Sequence, residues 1–97
     1  MLIKSMYEII FSRRFKRSYK KLKRSGRFDP ESLRSTLEIL KEGISLPPPF
    51  QDHLLAGEYQ GCHECHLKGN VLLIYSIVDF VHEVTLTNIG THSELFR

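Results

Sequence analysis

Residues Gly61–Ile77, GCHECHLKGNVLLIYSI, decide the fold. The second half, Val71-Leu72-Leu73-Ile74-Tyr75-Ser76-Ile77, is the longest apolar run in the chain and is rich in β-branched and aromatic residues. Such a run fits a central strand buried on both faces. The first half alternates polar and semi-polar residues and joins it through Lys68-Gly69-Asn70, a Gly-Asn connection that reads as a hairpin turn. His53, His63 and His66 lie in or near this hairpin, and His92 stands close to the end of the chain. The strands are expected to be a platform and the histidines the chemistry.

Downstream, Asp79–His82 makes a turn and Glu83–Ile89 alternates cleanly as a further strand. Gly90–Phe96 is a tail with one helical turn begun by Thr91 or Ser93. Upstream, Gln51–Tyr59 is a polar loop that starts a strand at most, and Ser45-Leu46-Pro47-Pro48-Pro49-Phe50 reads as a rigid extended spacer. Asp29-Pro30-Glu31 begins a helix, with an acidic cap and Pro at the first helical position. Its buried stripe is Leu33, Leu37, Leu40 and Ile44, and Gly43 ends it. Ser12 caps an earlier helix whose stripe is Phe11, Phe15, Tyr19 and Leu22, stopped at Gly26. A first strand, Tyr7–Phe11, precedes it. The order β-α-α-β-β-β describes an α+β fold, a mainly antiparallel twisted sheet with a two-helix hairpin on one face.

Ninety-seven residues suit one domain, 1–97, and an apolar content of 41% suits a folded globule. No run approaches the roughly 18 apolar residues of a membrane span. The start, Met1–Glu8, lacks a basic region followed by an apolar one, so no leader is expected and the cytoplasm is the expected location. The net charge of +3 hides an asymmetry: residues 1–28 hold ten Lys/Arg and one acid, net +9, and residues 29–97 hold four and ten, net −6. Arg13, Arg14, Lys16, Arg17, Lys20, Lys21, Lys23 and Arg24 cover the first helix outside its apolar stripe. They face either solvent or a polyanion, of which nucleic acid is the leading candidate.

Cys62-His63-Glu64-Cys65-His66 matches a haem-attachment pattern in letters. In a strand, however, Cys62, Glu64 and His66 face one side and His63 and Cys65 the other. The same split, and the lack of a second Cys pair, argues against structural zinc. Two reduced, free cysteines are the plainer reading. Histidine is the side chain best suited to move protons near neutral pH. His53, His66 and His92 would supply acid, base and phosphate contact for a nuclease that needs no metal or cofactor, with Phe96 stacking on a base. Taken singly, each histidine reads first as an ordinary surface or capped residue, and only a shared site changes that reading.

Asp52-His53-x-Leu55-x-Gly57, Gly61, Glu64-Cys65-His66, Leu72-Leu73-Ile74-Tyr75 and Gly90-Thr91-His92-Ser93-Glu94-Leu95-Phe96 together resemble the YafQ-type toxins of the RelE superfamily. The resemblance is close from Asp52 to Phe96 and covers only a pattern before it. It implies the toxin of a type II toxin–antitoxin pair, a ribosome-dependent mRNA endonuclease working without metal. In that family the substrate 2′-hydroxyl attacks the adjacent phosphate. The positions carried over are His53, His66, His92 and Phe96, with His92 as general acid and His53 or His66 as general base. The implied partners are an acidic antitoxin, the ribosome with its mRNA, gripped by the basic helix, and operator DNA through the antitoxin complex.

The chain departs from the family pattern at Asn70, where Asp is common, at Val71, where Trp is, and at Asn88, where Arg is. His63 stands where Arg is frequent and, if protonated, would replace the missing cation in part. These departures keep open a second function: an antitoxin-binding co-repressor with weak or no nuclease activity. A relative that poisons gyrase and a metal or haem protein are further alternatives.

Overall fold

The structure, a computed structural model, describes residues 6–96; the stretch Met1–Ser5, read above for a leader, lies outside the described residues. Eight regular elements follow in order: β1 (Glu8–Phe11), α1 (Arg13–Arg24), α2 (Pro30–Lys41), β2 (His53–Leu54), β3 (His63–Leu67), β4 (Val71–Val78), β5 (Glu83–Thr91) and α3 (His92–Leu95). The sheet runs β1-β5-β4-β3-β2, with β1 parallel to β5 and every other pair antiparallel. The α+β reading holds. The structure adds a two-residue strand, β2, from the polar loop and resolves the tail into a helical turn.

β4 is the central element. Leu73 and Tyr75 enter the core under the helices, with Cys65, Val84, Leu86 and Ile89 from the sheet and Phe15, Leu22, Leu33 and Leu40 from α1 and α2. Leu72 and Ile74 point the other way and pack with Tyr59 and Leu95. Burying side chains of this size contributes about 1.5–3 kcal/mol each. Among the described residues, no helix is long and apolar enough to cross a membrane.

The helix starts follow their caps. Ser12 Oγ accepts from Phe15 N–H at 3.0 Å and donates to the Thr87 carbonyl at 3.1 Å, so one side chain both begins α1 and seats it on β5. Asp29 Oδ1 accepts from Glu31 N–H at 3.0 Å. Gly26, at φ +74°, stops α1 in the left-handed region. At the far end of the chain Thr91 and Glu94 form a reciprocal capping box around α3.

Three expectations need correction, and one further residue, Thr36, joins the core. Phe11 is 46% exposed because it ends the edge strand β1, where it leans on Phe15 instead of entering the core. Ile44 is 53% exposed because α2 stops at Lys41 and Gly43 (φ +72°) breaks the helical period before it. Thr36 takes a core position and is wholly buried, its hydroxyl satisfied by the Ser32 carbonyl at 2.8 Å. Pro47 is extended, but Pro48–Phe50 close into a 3₁₀ turn and Gln51 is left-handed at φ 50°. Proline fixes φ near a value that both conformations share, and ψ decides between them.

The alternation of β5 is also broken. Tyr75 pairs with Leu86 and Ile74 with Asn88, leaving Thr87 as an extra, bulged residue. Leu86 and Ile89 therefore share the helix face although they are three apart, and Asn88 turns to the opposite face.

Both cysteines are free and lie on opposite sides of β3. Burial first, then the Asp52 and Glu64 carboxylates, push the Cys65 thiol up to about 12. The folded state thus holds this proton more tightly than the unfolded chain, whose thiol titrates near 8.5. Its contribution to stability is complete below about pH 8.5 and is lost as pH rises toward 12. Urea midpoints are expected to hold steady from pH 7 to 8 and to fall above about pH 9, less steeply in Cys65→Ala. Iodoacetamide at pH 8, read by mass spectrometry, should leave Cys65 intact until the protein unfolds.

Candidate active site

The face of the sheet away from the helices gathers His53, His66 and His92 around Glu64 and one cleft. Strand pairing sets His53 of β2 directly opposite Glu64 of β3, and the two-residue period brings His66 to the same side. The Glu64 side chain, 8% exposed, lies between the two rings. Its Oε1 is 3.3 Å from His53 Nε2 and 4.0 Å from His66 Nε2. His53 Nδ1 lies 2.9 Å from the Gln51 carbonyl oxygen, which can only accept. When the ring is protonated both nitrogens donate, and each then faces an acceptor.

His92 reaches the same cleft from the first position of α3. Gly90 leaves room for the cap just before it: a Cβ there would come within 2.9 Å of Glu94 Oε1, the oxygen that accepts from Thr91 N–H at 2.8 Å. The cleft is open, about 910 Å³, and lined by Glu64, His66, Asn70, Leu72, His92 and Arg27 among others. Asn70 belongs to the hairpin turn and takes φ +61°, a left-handed conformation that Asn tolerates better than most residues. Phe96 packs on the His92 ring at 5.1 Å and edge-on to Tyr59 at 5.7 Å, a line that continues to the Arg14 guanidinium, 5.4 Å over Tyr59. Arg14 is also paired with Glu58 at 3.6 Å.

Not every candidate joins this group. His63 faces the helix side, stacked on Tyr75 at 5.1 Å and 3.2 Å from Asp52 Oδ1. Alternation sends it away from Glu64 and His66, so it does not stand in the cleft as a substitute cation. Tyr75 also donates to Asp52 at 2.8 Å, and burial followed by this bond raises its phenol above the ordinary range. Asp52 thereby anchors the helix side of the segment whose next residue is His53. Asn88 is 5% exposed; its amide donates to Tyr59 Oη at 3.1 Å and its oxygen accepts from Ile89 N–H at 2.9 Å. It supports the Tyr59–Phe96 contact from below the surface.

All eight basic residues of α1, from Arg13 and Arg14 through Lys16, Arg17, Lys20, Lys21 and Lys23 to Arg24, are exposed, and none of them lines the cleft. They form a separate flank. Glu64 is the residue that the sequence reading passed over, although the strand period already placed it beside His66. Among the described residues, no group of three or more His, Cys, Asp or Glu side chains is disposed to hold a metal ion.

Comparison with known proteins bears on the family and the fold. Residues 7–97 match the family described as "Bacterial toxin of type II toxin-antitoxin system, YafQ". The mRNA interferase toxin YafQ of Escherichia coli is 31% identical over 58 residues, 60% of this chain and 61% of that protein, so the match spans about six tenths of the relative. A copper-bound mutant toxin from Helicobacter pylori is 36% identical with a TM-score of 0.83, covering 94% of this chain and 100% of that one. The E. coli DinJ–YafQ toxin–antitoxin complex contains a chain 26% identical to this one, TM-score 0.80, with 95% and 99% covered. With the family match spanning nearly the whole chain and the fold shared, the chain belongs to the YafQ family of bacterial toxins from type II toxin–antitoxin systems.

Proposed function

We propose that the protein is an mRNA endoribonuclease that acts on the ribosome and is held silent by a cognate antitoxin. The observation that carries this reading is the cleft shared by Glu64, His66 and His92, with His53 3.3 Å from the same carboxylate. Two proton-transfer groups lining one concavity are what cleavage of an RNA phosphodiester requires. His66, exposed to the cleft and backed by Glu64, takes the proton from the substrate 2′-hydroxyl. Its oxygen attacks the adjacent phosphorus, and the bond to the 5′-oxygen breaks. His92 gives a proton to that leaving oxygen. The products are a cyclic phosphate and a free 5′-hydroxyl. His53, hydrogen-bonded to the Gln51 carbonyl and facing Glu64 at 3.3 Å, adds positive charge beside the carboxylate when protonated. Phe96 offers a ring beside His92 for a base to stack on.

The exposed cations of α1 suit ribosomal RNA phosphates, which fix register without reading sequence. The E. coli relative is found in complex with the antitoxin DinJ. An acidic antitoxin, disordered in part until bound, is the corresponding partner here, and operator DNA is reached through that complex.

A second reading, an antitoxin-binding co-repressor with little nuclease activity, draws support from one feature. Asn88 is neutral and its amide is spent on Tyr59 and Ile89, so β5 offers no cation to the phosphate. Unimpaired growth on induction together with tight antitoxin binding would select it.

Induction without antitoxin should arrest growth and create new transcript 5′ ends, mapped by sequencing. His92→Ala should remove them, with a rate loss on the order of 10²–10⁴. Unchanged 5′ ends in the variant would end the assignment of His92. Glu64→Gln keeps the shape but not the charge; cleavage by programmed ribosomes should fall about tenfold or more, because the carboxylate lies between the two imidazoles. A variant with the parent's rate would remove Glu64 from the chemistry.

A further inference from the structure

Attack on a phosphodiester concentrates negative charge on the phosphoryl oxygens, and a fixed cation aimed at them is the strongest device a protein has for stabilising it. Within the cleft, the carboxylate of Glu64 works against such charge, Asn88 is buried and neutral, and His63 is on the other face. The cations of α1 flank the site, and the one that leans toward it, Arg14, is already shared between Glu58 and the Tyr59 ring.

We infer that Arg27, in the loop between α1 and α2, is the cation that contacts the scissile phosphate. This rests on the nuclease reading above. Arg27 is the one Lys or Arg among the described residues lining the cleft, in company with His66, Asn70 and His92. Among the described residues its guanidinium has no ion pair and no aromatic partner, so its donors are free for a ligand. The acids nearby are engaged elsewhere: Glu64 with His53, and Glu94 with Thr91 N–H.

The loop is pinned where Arg27 leaves it. Gly26 turns the chain in the left-handed region, and Arg27 N–H donates to Ser25 Oγ at 3.2 Å. Phe28 packs edge-on to Tyr19 at 5.7 Å, and Lys68 of the hairpin turn lies 3.9 Å from Asp29. The Arg27 carbonyl lies 3.6 Å from the position of a Cβ on Gly69. Loop and hairpin turn therefore lie side by side, and the next residue of that turn, Asn70, lines the cleft. A guanidinium suits the task because its planar fork bonds two phosphate oxygens at once.

The test compares wild type, Arg27→Ala and Arg27→Lys by single-turnover cleavage of programmed ribosomes. It also uses NMR titration of the His66 and His92 rings with a short RNA carrying 2′-deoxyribose at the cleavage position. Arg27→Ala should cleave about 10²-fold more slowly and bind the uncleavable RNA more weakly, with its melting temperature unchanged. Arg27→Lys should recover part of the rate, since it keeps the charge and loses the fork. An unaltered rate in Arg27→Ala, or a loss in ribosome affinity with the cleavage step untouched, overturns the inference. If wild type itself leaves mRNA whole, the nuclease reading fails; the titration then decides for Arg27 alone, and equal binding by wild type and Arg27→Ala overturns it.

Discussion

The structure depends on one strand that has no solvent face. β4 is buried on both sides from Val71 to Tyr75, so its two-residue period divides everything paired with it into a helix side and an open side. A slip of one residue against β3 would exchange the two sides. Glu64 and His66 would then be forced under the helices and Cys65 into water. The same hydrophobic demand that orders the core therefore aims the cleft. The Asp52–His53 pair shows this at the smallest scale: Asp52 bonds Tyr75 on the helix side while His53, the next residue, meets Glu64 on the other.

The second organising fact is electrostatic. A carboxylate nearly out of water is costly unless something answers it. Here two imidazoles face it, His53 from β2 at 3.3 Å and His66 from within β3 at 4.0 Å. Charge is divided elsewhere in the molecule too. The dense basic flank of α1 attracts polyanions over a distance, and the cleft itself contains a single arginine.

Much of this is legible from the letters. Ser12 and Asp29 announce their helices because a side-chain acceptor before an apolar stripe has few other uses. The run at Val71 announces a doubly buried strand, and alternation within His63–Leu67 already separates His66 from His63. What is not legible depends on tertiary context. The bulge at Thr87 leaves no mark in an alternating sequence, so neither the turn of Asn88 toward Tyr59 nor the shared face of Leu86 and Ile89 is visible beforehand. Ile44 looks like the next residue of a helical stripe until Gly43 ends the period. Pro48–Phe50 satisfies extended and 3₁₀ geometries equally in φ. Arg27 reads as one charge among ten, because its place beside the hairpin turn arises only when two distant loops meet.

The central claim is spatial: imidazoles far apart in sequence serve one phosphate on the open side of the sheet. A crystal structure with a short RNA carrying 2′-deoxyribose at the cleavage position measures this directly. The account predicts the scissile phosphate between the His66 and His92 rings, with a base against Phe96. A phosphate bound on the His63–Tyr75 side, or only along α1, would contradict it.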